Sequence, residues 1–163
     1  MKLANLGGIC LNRNELAEAR QCFDEARQIA ARRRDRFLAA NITFDLTYLE
    51  LREGNGVAAL ANAREALPVI SASQDPHQTW MALELTGATL VAVERHVEGV
   101  KLLGAAEARR LSAGDEPNPD GADVRSSALA RAESAIGRKV LADALEAGRA
   151  LSGEQVAALV LSS

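Results

Sequence analysis

The chain offers few residues from which chemistry could be built. His77 and His96 are its only histidines, and neither sits in an HExxH or His-x3-His arrangement that would put two ring nitrogens on one metal ion. His77 falls at an expected helix start and His96 in a turn, so both read as solvated. Cys10 and Cys22 are the only thiols and form no CxxC; they read as two small buried residues in a reducing compartment. Glu84 and Glu94 lie ten residues apart on one expected helix. They therefore point in different directions and cannot act as a general acid and base on one bond. Ser126-Ser127 and Ser162-Ser163 lack the strand-turn-helix setting of a nucleophile elbow, and no GxxxxGK[ST] loop occurs. These patterns lead to the expectation of a non-catalytic chain with no cofactor and no metal site.

Charge carries more information. Arg32, Arg33, Arg34 and Arg36, interrupted only by Asp35, form the densest run. They could hold a phosphate or an acidic partner. They also fall at an expected helix C-terminus, where cations complement the helix dipole and its last carbonyls. The run is short and lacks interleaved aromatics, and the net charge is −3, so direct nucleic-acid binding is not expected. No apolar run approaches the roughly 18–20 residues that cross a bilayer. The opening MKLANLGGIC has Ile9 before Cys10 and a short apolar stretch, which argues against a lipoprotein signal. A cytoplasmic location is the resulting expectation.

Any such surface must be held by helices. The 163 residues include 32 Ala and 22 Leu against five aromatics, a composition that favours helix and disfavours an all-β fold. The chain also repeats. Residues 16–30, 56–70 and 96–110 align without gaps at an offset of 40. Ala19, Ala59 and Gly99 share one column, Phe23, Ala63 and Leu103 a second, and Ala26, Ala66 and Ala106 a third. Spacings of 4 and 3 put the columns on one helical face, where small side chains admit a close neighbour. Upstream, Gly7, Thr47 and Gly87 align in the same register. Breakers at 12–14, 54–56 and 94–96 divide each unit into two helices, and Asp35 and Asp75-Pro76 read as helix starts.

The predicted helices cover 2–12, 15–33, 36–53, 57–71, 76–94 and 97–111, with Pro68 expected to kink or end the fourth near Leu67. After a Pro/Gly-rich stretch, three more are expected at 121–136, 138–148 and 153–161. Gly137 separates the first two, and Ser152 with Gln155 forms a capping box for the last. The expected fold is an all-α right-handed α-solenoid. It has three helix pairs over 1–111 (about 1–34, 35–74 and 75–111), a linker at 112–120 and C-terminal capping helices at 121–163.

The small residue at the Leu6-Gly7 site, with Ala19, Phe23 and Ala26, resembles the tetratricopeptide repeat. The period of 40 exceeds the usual repeat of about 34. It resembles the longer repeats of bacterial MalT-like and AfsR-like regulators. Leu102-Leu103-Gly104-Ala105-Ala106-Glu107-Ala108, then Ala135-Ile136-Gly137, then Gly148-Arg149-Ala150-Leu151-Ser152, resemble the C-terminal end of such LuxR-type multidomain ATPase regulators. The resemblance implies a sensor or interaction segment that follows a nucleotide-binding switch and an effector domain. Glu94 replaces an expected Gly, and Leu141 and Leu145 stand where that tail usually carries aromatics.

In a solenoid the first helix of each pair lines the concave side. Asn41, Phe44, Tyr48 and Arg52 form a stripe on the second such helix, away from Leu46 and Leu49, with Met81 and Glu84 expected on the adjacent one. Phe44 and Tyr48 align with Ala4 and Gly8, and with Glu84 and Ala88, so large residues flank small ones. Tyr, Arg and Asn are frequent contact residues. The expected function is binding of a protein or peptide segment at this face, with Arg32–Arg36 as a secondary basic patch. Two alternatives are a free-standing adaptor and a small-molecule effector sensor. Leu3, Leu6, Ile9, Cys10 and Leu11 crowd a short first helix with little polar cover, which leads to the expectation of a homodimer through residues 1–30.

Overall fold

The computed structural model describes the backbone of residues 2–117 and 119–161 and the side chains of 2–117 and 123–160. Every regular element among them is a helix: α1 (Lys2–Asn12), α2 (Leu16–Arg33), α3 (Arg36–Arg52), α4 (Gly56–Ala72), α5 (Pro76–Ala92), α6 (His96–Ala113), α7 (Pro119–Arg149) and α8 (Gly153–Leu161). Two compact units divide between Ser73 and Gln74. In the first, α1 packs on α2, α2 on α3 and α3 on α4. In the second, α5 packs on α6, and α7 lies against both. This neighbour-on-neighbour stacking is that of an α-solenoid repeat. The third pair thus belongs to one compact body with the C-terminal helices.

The turns show why the chain repeats. Asn14, Arg34, Gly54, Gln74, Glu94 and Gly114 all adopt the left-handed conformation, with φ between 55° and 80°. They recur every twenty residues, so the forty-residue repeat is two half-units with the same helix stop. At Asn14 the stop is a Schellman motif: the N–H of Asn14 bonds to Leu11 O and the N–H of Glu15 to Cys10 O. The same pair of bonds recurs at Arg34/Asp35, Gly54/Asn55, Glu94/Arg95 and Gly114/Asp115. At the first four of these stops the second donor is also the N-cap of the next helix, so three residues suffice to reverse the chain. Asp35 and Asp75 cap with their side chains, accepting from the N–H of Leu38 and Gln78.

The three repeat columns are all buried. Ala19, Phe23, Ala59, Leu103 and Ala106 are fully so, and Ala26, Ala63 and Ala66 nearly so. A Cβ on Gly7 would collide with the Phe23 ring, which explains why a large residue in one column requires a glycine opposite. Phe23 anchors the core of the first unit with Leu11, Ala30, Ile42, Leu46 and Leu49.

Of the two outcomes expected at Pro68, the helix does not end at Leu67: α4 runs on to Ala72, close to the expected 57–71. Pro68 is exposed, so the carbonyl of Arg64, which loses its N–H partner, lies on the solvated face where water can serve it. The C-terminal region keeps its expected joints. Gly137 is non-helical (φ 80°, ψ 157°) and divides α7. The N–H of Ser152 donates to Gln155 Oε1 and that of Gln155 to Ser152 Oγ, a reciprocal capping box. The helix-free stretch between α6 and α7 is shorter than the expected 112–120 linker, because α6 continues to Ala113.

Candidate functional site: the outward stripe of α3

α3 begins at its Asp35 cap and presents two faces. Ile42, Leu46 and Leu49 are buried against the core, with Thr43 and Thr47 beside them. The hydroxyl of Thr47 bonds to Thr43 O, so that side chain is satisfied inside its own helix. The other face carries the expected stripe. Phe44 and Tyr48 meet edge to face, with ring centroids 5.6 Å apart and planes at 79°. Both are half-buried, and Tyr48 also packs against the core of the first unit. Asn41 is half-buried, and its amide donates back along the helix to Phe37 O at 3.0 Å. Arg52 is exposed at the end of the stripe.

One residue of this face escaped the sequence reading. Asp45 falls between Asn41 and Tyr48, and 41, 45, 48 and 52 keep helical spacings of 4, 3 and 4. Burial pushes its carboxyl up to about 7. The stripe therefore combines an aromatic pair with a carboxyl group poised to change charge near neutrality.

Glu84 corrects the expected partner surface. It is buried in the second unit, with its carboxylate 3.2 Å from the Arg125 guanidinium of α7. Arg125 also bonds to Leu103 O and approaches Glu107, which in turn holds Arg149 at 2.8 Å. Glu84 is thus the inner end of an ion-pair chain that fixes α7 to α5 and α6. Burial raises its pKa, against the opposing pull of Arg125. Met81, half-buried on α5, also belongs to the second unit. The four stripe residues of α3 share one helix face in the first unit, and Met81 and Glu84 lie in the second.

Arg32, Arg33, Arg34 and Arg36 are all exposed. Arg32 and Arg33 close the last turn of α2, Arg34 is its left-handed cap, and Arg36 opens α3. None of the four pairs with an acid among the described residues. At the first helix, Leu6 and Ile9 are 47% and 50% exposed, whereas Cys10 and Leu11 are buried and Leu3 is half-buried. The bare edge is narrower than the sequence implied.

His77 is exposed, as its solvated reading expected, and has partners of its own. The His77 ring nitrogen lies 3.0 Å from Asp115 and its ring stands edge-on to Trp80, whose indole N–H donates to the same carboxylate at 2.7 Å. This cluster ties the end of α6 to the start of α5. His96 is half-buried at the first position of α6. Compared with known proteins, the chain matches no family model, no curated protein and no solved structure.

Proposed function

We propose that the chain is a non-catalytic repeat module that binds a protein or peptide segment through the outward stripe of α3. The observation that supports this reading is the Phe44–Tyr48 pair. Two aromatic rings are held at a fixed angle on a helix whose other face is locked into the core, and Arg52 stands exposed beyond them. Rigid, partly exposed aromatics beside a cation are the residues that dominate protein contacts when they become fully buried by a partner. The tetratricopeptide-like register and the Gly148-Arg149-Ala150-Leu151-Ser152 tail favour the interaction segment of a bacterial cytoplasmic transcriptional or signalling regulator of the LuxR-type ATPase class.

The test is partner capture by the full chain from a lysate of the source cells, with identification of the captured protein and its reconstitution in purified form. The Tyr48→Ala/Arg52→Ala variant should keep its helical circular dichroism and lose the reconstituted complex. Undiminished binding by that variant would remove the stripe from the function.

A further inference from the structure

A second surface lies at the opposite end of α2 from its turn with α1. A cleft of about 170 Å³ opens there, between α1, α2 and α3. Its apolar lining is Leu3, Ala26, Ile29, Leu38 and Ile42, and its polar rim is Lys2 and Arg33. That volume is close to the roughly 150 Å³ that accommodates a benzene ring, so it takes one large apolar side chain.

The charged residues that line it, Lys2 and Arg33, are both cationic. Arg32, Arg34 and Arg36 stand exposed beside Arg33 at the α2–α3 junction. Asp35 is the only acid in the run, and its carboxylate is engaged by the N–H of Leu38. An apolar floor under a cationic rim selects its ligand by two independent terms. A free anion would leave Ile29 and Leu38 uncovered, and a plain apolar segment would leave the rim without counter-charge. The lining is aliphatic, with no ring on which a base could stack.

We infer that this cleft is a docking site for an acidic amphipathic protein segment, which seats one Leu-, Ile- or Met-like side chain between Leu3, Ile29 and Leu38 and sets flanking carboxylates on Arg33 and its neighbours. The inference builds on the reading of the chain as a binding module but uses a surface separate from the α3 stripe. Its arginines act as steering charges, so association should weaken with salt.

The experiment uses the full chain and a fluorescein-labelled model peptide, helical, with Leu at two positions four apart and Glu at the flanking positions. Binding is read by fluorescence anisotropy. The inference expects saturable binding that falls about tenfold or more when the peptide's Leu residues become Ser, and again when its Glu residues become Gln. Ile29→Glu and Arg33→Glu in the protein should each cause a comparable loss. Arg33 is exposed, so its variant tests the rim without disturbing the core. The Tyr48→Ala/Arg52→Ala variant should bind this peptide as the parent chain does, which separates a failure here from a failure of the α3 reading. Four results would overturn the inference: no binding of the parent peptide, equal binding of its Ser version, indifference to Arg33→Glu, or displacement by a short RNA at equal charge. Sedimentation showing copies of the chain associating through Leu3 and Ile29 would assign the cleft to a second copy, and would overturn it as well.

Discussion

Gly87 of α5 and Gly99 of α6 face each other so closely that a Cβ on either would lie 2.8 or 2.5 Å from the other's carbonyl oxygen. The repeat register places Gly7 opposite Ala19 and Thr47 opposite Ala59 at the equivalent crossings. Gly99→Ala should destabilise the chain by about 1–3 kcal/mol, because the methyl meets backbone and the Val91 side chain rather than a flexible tip. Ala66→Arg, at a position 1% exposed, should cost more through overpacking and a buried charge. Urea titration followed by circular dichroism measures both, and an unchanged midpoint for Ala66→Arg would disprove the repeat register.

The left-handed stops differ in strain. Glu94 occupies φ 67° with a side chain, while Gly54 occupies φ 80° without one. Glu94→Gly should stabilise the chain by up to about 1 kcal/mol, and Gly54→Ala should destabilise it by about 1–2 kcal/mol. Neither glycine-dependent effect involves a neighbouring side chain at Gly54, where a Cβ meets nothing within 4 Å. Opposite signs in thermal melts of the two variants are the expected outcome.

Two carboxyl groups give stability opposite pH slopes. Asp45 titrates near 7 when folded, against an ordinary value of 3.8. The folded state therefore holds a proton that the unfolded state has released, and stability falls as pH rises from about 4 to 7. Because the side chain is only half-buried, Asp45→Asn should recover on the order of 1–2 kcal/mol at pH 8 and flatten that slope. Asp115 behaves in the reverse sense. The Trp80 N–H, then the His77 ring, hold its carboxyl below the ordinary 3.8. Its contribution is complete above that value and disappears as pH falls through the lowered one. Trp80 is the only tryptophan, so its fluorescence reports the loss directly, and Asp115→Asn should abolish that acid transition.

The exposed edge of α1 should self-associate. Leu6 and Ile9 lie about half exposed on one face of a short helix. Light scattering across a hundredfold dilution range is expected to show a concentration-dependent dimer, and Leu6→Glu/Ile9→Glu a monomer. A strict monomer in the parent chain would contradict a contact through residues 1–30.

The sequence by itself determined the helices, their register and their joints. Ala19, Ala59 and Gly99 announce a close crossing because small residues at a forty-residue period have no other use on a helix face. Asp35, Asp75-Pro76, Gly137 and Ser152/Gln155 are local devices whose geometry depends on a few adjacent residues. The left-handed stops at Arg34 and Gln74 were illegible, because those residue types do not favour the conformation; at Arg34, as at Glu94, the Schellman bonds impose it. Pro68 could be read as a kink or an end, and α4 continues past it with the unpartnered Arg64 carbonyl on the exposed face. The stripe of α3 was legible as spacing, but the settings of two carboxyl groups, Asp45 on α3 and Glu84 on α5, were not. Glu84 is drawn inward by Arg125, forty-one residues away, and Asp45 owes its shifted carboxyl to burial. The cleft beside Arg33 forms where α1, α2 and α3 meet. Ion pairing, desolvation and the shape of a cleft depend on which segments meet in space, and only the tertiary structure decides that.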